Sequence, residues 1–372
     1  MAKCILAAGE VIIVRSGVNT GDIAVVPESL AGSYAAYDLI VRLRENVLPE
    51  YLVFFFSTSH GRTQFDIRSG RAAQAHLNAE DVSSAILPLP RKSVQAALVK
   101  DLQAARSARD AKLAQAEVLL NGIDDLVLAE LGLAARKITD RLAYAVRLRE
   151  LKSRCDGSAT RFDPHYNAPR FWGLVGTLKG MPSQSLGTVV RFSNDQWNPE
   201  SHNEDTFNYI EISGVDLQTG EITSVPKPTS KAPSRARMLV QAGDILISLT
   251  RPHRGAIGVV PKNLHGTVAS TGFAVIRKIT AKKYRPQYLL VILRSSVCLQ
   301  QMLQRSSGGN YPAITESELK RITVPLCVDS VQQQIVAQVA KRKGQVRQLR
   351  AEAAALWSAA LADFEAKLIG KA

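Results

Sequence analysis

Thr250-Arg251-Pro252-His253-Arg254-Gly255 sets two arginines and a histidine around a proline and a glycine. A guanidinium fork reads the edge of guanine bidentately or clamps a phosphate, so a turn of this kind suits DNA. The plainer reading is a solvated basic turn. Asn194, Gln196, Asn198 and Asn203 form an amide-rich loop; Asn and Gln match adenine edges, although ordinary turn chemistry selects Asn as well. Ser307-Gly308-Gly309-Asn310-Tyr311 offers glycines through which a backbone could approach a ligand, or simply a loop that ends a helix. Lys341, Arg342 and Lys343, with Arg347 and Arg350, read as the solvated face of a helix.

Catalytic chemistry finds little support. Asp163-Pro164-His165-Tyr166 differs by one residue from the Asp-Pro-Pro-Tyr motif with which adenine methylases hold a flipped base, and Phe171-Trp172-Gly173-Leu174-Val175-Gly176 follows it. Yet His stands in place of the second Pro, no strand precedes the glycines, and the segment is too short for a cofactor domain. Residues 161–172 read instead as a tether between a helix and the domain that follows. Glu318-Leu319-Lys320 reads as an exposed helix start. No phosphate-binding glycine loop occurs, and the six histidines lack metal-ligand spacing. No catalytic or metal-ligating residue is assigned. Cys4, Cys155, Cys298 and Cys327 are scattered and form no Cys-x-x-Cys pair, as expected of reduced, packed thiols in a cytoplasmic setting. The apolar start is interrupted at Glu10 and reads as neither a secretory leader nor a membrane span. The 372 residues carry a net charge of +14, which favours a polyanionic partner without identifying it.

These residues sit on an internal duplication. Leu6–Val14 aligns with Val240–Ser248, and Thr20–Pro27 with Arg254–Pro261, both 234 residues apart. Pro49–Ser59 aligns with Pro286–Ser296 at a separation of 237, as do Ser69–Leu89 with Ser306–Leu326, Val94 with Val331, Leu98 with Ile335 and Leu120 with Trp357. A near-constant offset over that distance marks a tandem repeat.

Each copy begins β-rich. Short β-branched runs at 10–14, 23–26 and 38–43 match runs at 244–249, 257–260 and 272–277. Pro49–Ser59 and Pro286–Ser296 are ambiguous between strand and helix; Pro at the first turn favours a helix. Ser93–Leu131 and Asp329–Leu368 then lose all proline and repeat aliphatics at steps of three and four. A helix of that length runs roughly 55–60 Å. One apolar stripe on so long a helix needs a partner, which the duplicate supplies. Leu98, Leu102, Leu120, Ile335, Val339 and Trp357 are the expected seam of an antiparallel pair. The fold class is therefore α+β. The expected division is a β-rich domain at 1–90, a central helix at 91–133, a linker at 134–161, a second domain at 162–325 and a C-terminal helix at 326–372.

The order of these parts resembles the specificity (S) subunit of type I restriction–modification enzymes. The matching residues are Gly243-Asp244-Ile245-Leu246, Ile257-Gly258-Val259-Val260, Gly308-Gly309-Asn310, Val324-Pro325-Leu326 and the Gln332-Gln333-Gln334-Ile335-Val336 helix start. Ser185-Leu186-Gly187 and Tyr209-Ile210-Glu211-Ile212-Ser213 open the second domain as that family does. The resemblance implies two β-rich target-recognition domains separated and followed by long helices in a coiled-coil-like pair. It implies double-stranded DNA, methyltransferase (M) subunits and restriction (R) subunits as partners. It also implies no chemistry and no bound cofactor on this chain, with S-adenosylmethionine, ATP and Mg on the partner subunits. Arg251, His253, Arg254, Asn194, Gln196, Asn198, Asn203, Gly309, Asn310 and Tyr311 are then the DNA-facing candidates. The competing reading is a helical adaptor that binds proteins without reading DNA. The counterpart of Leu186–Met238 has no place in the first copy, so 1–90 is expected to be a partial domain of low stability. Strands such as Val11–Val14 would lack sheet neighbours, and one half-site at most would be read reliably.

Overall fold

The computed structural model describes residues 4–35, 37–70, 75–133, 143–153, 161–178, 180–201 and 204–370. They form two compact units, 1–117 with 346–372 and 118–345.

In the first unit β1 (Val11–Ile13) pairs antiparallel with both β2 (Ile23–Val25) and β3 (Leu39–Val41). The expectation that β1 would lack neighbours is thus corrected: it is the central strand, and Val11 is fully buried. The pleat explains the burial, because alternate side chains face opposite sides. Val11 and Ile13 face an aromatic core of Tyr51, Phe54, Phe55, Phe56 and Phe65, while Ile12 packs with Leu6, Val26 and Ala35 on the other side. The aromatics come from α1 (Pro49–Ser57), which does start at its proline, and α2 (Ser59–Ser69). After α3 (Ala79–Ser83), a capping-box turn, comes α4 (Lys92–Glu130).

The second unit contains the short α5 (Leu148–Ser153), α6 (Pro164–Asn167) and α7 (Pro169–Leu178). Asp163 caps α6, the His165 ring bonds Leu303 O and Gln304 donates to Tyr166 O, so 161–172 is fixed to this unit as a structural segment. The supposed glycine loop at 171–176 lies within helix α7. Next come β4 (Ser183–Ser185), α8 (Leu186–Val189), β5 (Val190–Phe192), β6 (Thr206–Ile210), β7 (Val225–Pro228), β8 (Ala236–Leu239), β9 (Ile245–Ser248), β10 (Ile257–Val259), β11 (Val268–Ser270) and β12 (Phe273–Ile279). They assemble as two four-stranded sheets, β10-β9-β12-β5 and β7-β6-β11-β8. All of β9 is buried because its sheet is covered on both faces. Ile245 and Ile247 meet the helices, whereas Leu246 meets Ile210 and Ala269 of the other sheet. The chain continues through α9 (Pro286–Leu293), α10 (Ser296–Gln304), α11 (Glu316–Leu319) and β13 (Thr323–Pro325), the last paired with β4, into α12 (Asp329–Ile369).

The duplication extends to individual hydrogen bonds. Tyr51 donates to Pro88 O and Tyr288 to Pro325 O. Buried Gln95 bonds Leu48 N, Asn46 O and Pro90 O; buried Gln332 bonds Arg285 N, Lys283 O and Cys327 O. The Gly-acid turns also match. Gly9 and Gly243 take φ of 81° and 91°, a region open to glycine, and Glu10 and Asp244 each accept a backbone N–H three residues earlier.

The long helices pair antiparallel within each unit. In the first, Lys112 meets Glu352 and Asp101 meets Lys367; in the second, Gly122 O accepts from Arg342, and Glu130 accepts from Gln334 and Gln338. Exposed ion pairs add little. Apolar burial carries the seam, from Leu98, Leu102 and Phe364 in one unit and from Val127, Leu128, Ile335 and Val339 in the other. Leu120 and Trp357 are only half-buried. Leu120 lines a cavity of about 300 Å³, and Trp357 lies 6.2 Å from Phe54 with Arg109 over its ring at 4.8 Å. Arg342 and Lys343 were expected on a solvated face, but they bond Gly122 O and Thr219 O. Cys298 is buried as expected of a packed thiol, whereas Cys4 is exposed.

Glu365 of α12 accepts from Ser59 Oγ at 2.8 Å and His60 N at 3.0 Å, capping the N-terminus of α2. Burial pushes its pKa up, but the bonds from His60, Ser59 and Thr58 prevail and hold it at about 2. A depressed carboxylate stabilises fully above its ordinary value near 4.5 and loses that contribution as pH falls through 2. Glu365→Gln is expected to lower stability at pH 7 by about 1–2 kcal/mol. Urea unfolding at stepped pH should find the wild-type advantage gone at the acid end.

Candidate nucleic-acid interface

The Arg251 turn leaves the end of β9. Arg251 has φ 48° and ψ 50°, and it is the one non-glycine residue with positive φ among the described residues. A left-handed arginine costs about 1–3 kcal/mol, so its surroundings must hold it there. Its backbone N–H donates to Pro312 O at 2.7 Å and its Nη2 to Asn310 O at 3.0 Å. Its guanidinium lies 4.0 Å from the centre of the Tyr311 ring. Backbone bridges Thr250↔Ala313 and Ser307↔Ala313 bring the two loops together. Two segments that the sequence offers separately therefore form one cluster. In the first copy Gly17, with φ 96°, stands where the second has Arg251. The same turn exists there without the strain and without the charge.

The cluster faces outward. Tyr311 is 69% exposed, and Gly309, Asn310 and Arg254 are exposed beside it. A Cβ at Gly309 would meet no protein atom, so that glycine serves no internal packing. His253 is half-buried with Nδ1 unpartnered. Burial first, then the charges of Arg254 and Arg251, lowers its pKa. A neutral imidazole beside two guanidinium groups leaves one ring nitrogen to accept and the other to donate.

The amide loop has another anchor. Gln196 bridges Met238 and Trp197 N donates to Arg237 O, so the loop runs along β8. Buried Trp197 packs on Phe207 with ring centres 4.5 Å apart. Asn198 Oδ1 accepts from Glu200 N, which is turn chemistry. Asn194 and Gln196 are exposed. Asn203 lies outside the described residues.

Sequence reading missed the residues that brace this surface. Arg294 donates to the carbonyls of Gly255, Ile257, Leu217 and Gln218, fastening the base of the arginine turn to a neighbouring hairpin. Burial lowers its pKa and Asp216 opposes the shift. Ser57 occupies the matching place in the first copy, and that mismatch between repeats was the available signal. Arg277 joins Asp244 and Asp195, both at 2.7 Å, securing the start of β9 to the amide loop. Among the described residues no group of three or more His, Cys, Asp or Glu side chains could hold a metal ion, and no helix is long and apolar enough to cross a membrane.

Residues 200–341 match the family model of the type I restriction modification DNA specificity domain. The specificity subunit of the type I restriction enzyme HindI from Haemophilus influenzae is 30% identical over 106 residues, which is 28% of this chain and 23% of that protein. The HsdS subunit of Thermoanaerobacter tengcongensis is 33% identical, with a TM-score of 0.40 over 46% of this chain and 45% of that one. The chain thus spans under half the length of both relatives. A structure described under complex assembly and conformational transition of the type I R-M system is 18% identical, with a TM-score of 0.50 over 98% of this chain and 82% of that one. It shows the same fold.

Proposed function

We propose that this chain, whose residues 200–341 belong to the type I restriction–modification DNA specificity family, is the sequence-reading subunit of such a system. It would direct methyltransferase subunits, and restriction subunits where present, to a DNA target. The observation that carries the reading is the exposed Arg251–Tyr311 cluster on a strained turn inside the matched segment. The contact with the Tyr311 ring and the bond to Asn310 O pre-orient the guanidinium, which reduces the rotamer freedom it loses on contact. A fork held this way suits the O6 and N7 acceptors of guanine. Arg254, exposed on the same turn, would contact phosphate, and the net charge of +14 supplies a general attraction to the backbone. The chain itself is non-catalytic in this reading. S-adenosylmethionine, ATP and Mg belong to its partners, and the chemistry is theirs.

The test is fluorescence anisotropy of target and scrambled duplexes with the complex containing methyltransferase subunits, at salt from 50 to 200 mM. The expected results are a preference of about 10³-fold or more for the target and a steep negative slope of log K against log salt. Binding with no sequence preference and a flat salt response would leave the adaptor reading in its place.

A further inference from the structure

The two copies differ at a strand edge that is covered in one and bare in the other among the described residues. In the second unit β13 pairs with β4, Thr323 opposite Ser185 and Pro325 opposite Ser183. The bonds Leu186 N to Ile322 O, Gly187 N to Lys320 O and Leu326 N to Pro182 O extend the contact. Leu186 and Val189, on the helical turn after the strand, are fully buried.

The matching edge of the first unit is built the same way from within. Gln64 clasps Ile86 through both its N–H and its C=O, as Gln301 clasps Thr323. Yet Ile86–Pro88 belongs to no sheet among the described residues, and Ser83 O, Ala85 O and Leu89 N, the counterparts of the three paired groups, take no protein partner there. Ile86 is 74% exposed and Leu89 51%. Beside Ile86 runs a groove of about 500 Å³ lined by Phe55, His60, Gln64, Pro88, Leu368 and the Glu365 carboxylate. Ile67 on α2 is 64% exposed, whereas its counterpart Gln304 is buried under Tyr166.

We propose that the Ile86–Leu89 edge and its groove accept an extended segment of the type Ser183–Val189 provides in the second unit. Its strand would pair antiparallel with Ile86–Pro88 through backbone bonds, and two apolar side chains three residues apart on the following turn would fill the groove. A second copy of this chain is disfavoured as the donor, because its own Ser183–Ser185 is already paired and its Leu186 and Val189 are already buried. The inference rests on the duplication and is independent of what the chain reads.

The probe is a fluorescein-labelled peptide with the sequence of Met181–Phe192, titrated with the full chain and followed by anisotropy. Saturable one-to-one binding is expected. Ile86→Asp or Leu89→Pro in the chain, or Leu186→Asp in the peptide, should each weaken it about tenfold or more. Both chain positions are exposed, and an unchanged thermal melt identifies variants that remain folded. Absence of binding overturns the proposal. So does binding indifferent to both chain variants, which would mark exchange into β13. An Ile86-dependent dimer in sedimentation velocity overturns it too, by making the occupant a second copy.

Discussion

Arg251→Ala is expected to weaken binding of the target duplex by about 10- to 100-fold and to relax selectivity at one base pair, leaving binding to scrambled DNA little changed. The side chain is pre-oriented by Tyr311 at 4.0 Å and by Asn310 O at 3.0 Å, so truncation removes a placed fork rather than a mobile charge. Arg251→Lys should not restore reading, since an ammonium has neither the planar fork nor the same stacking on the ring. Arg251→Gly separates function from fold. It removes the same contact but suits φ 48°, as Gly17 does in the first copy, so its melting temperature should match or exceed that of the wild type while selectivity is lost. Arg254→Ala should instead weaken all duplexes about equally and flatten the salt slope by about one unit. Methylation-site mapping with each variant reads these outcomes directly. Unchanged sites and efficiency for Arg251→Ala would remove this turn from the DNA.

Much of this architecture is legible because its signals are local. Turn residues such as Gly243-Asp244, β-branched runs ending at proline, and stripes at steps of three and four each mark an element within a few residues. The 234- and 237-residue offsets then multiply every signal by two. Pro49 and Pro286 resolved helix from strand because proline fits a first turn. The site was legible only as fragments. Arg251 and Tyr311 are 60 residues apart, and they meet through backbone bridges at Thr250, Ser307 and Ala313 that have no side-chain signature. The amide loop shows the opposite failure. Its composition suits adenine, but Asn198 spends its oxygen on Glu200 N, and Trp197 fixes the loop to its own sheet. Repeat alignment also overstated the likeness of Leu120 and Trp357, since equal register does not give equal surroundings. Glu365 has no local pattern at all; its role exists only because α12 reaches the start of α2.

Gln332 and Gln95 carry the second large expectation. Sequence reading saw Gln332 only as part of a glutamine-rich helix start, whereas each residue is a buried hub of three bonds. Gln332 Oε1 accepts from Arg285 N at 2.9 Å, and its Nε2 donates to Lys283 O at 2.8 Å and Cys327 O at 3.0 Å. The hub ties the start of α12 to the entry of α9 and to the exit of β13. Gln332→Met keeps the volume but orphans one donor and two acceptors, each worth about 1–3 kcal/mol when left dry, so a loss of about 3 kcal/mol or more is expected. Gln332→Glu should be as harmful at neutral pH, because a carboxylate would face two carbonyl oxygens. Its pKa would be raised, so this variant should regain stability as the pH falls and the acid becomes a donor. Gln95→Met is expected to do the same to the first unit, with faster hydrogen exchange around 46–57 and 88–99, while Gln332→Met acts around 283–293 and 325–336. Wild-type melting and exchange in both methionine variants would mean that the matched hydrogen bonds follow the duplicated fold without stabilising it.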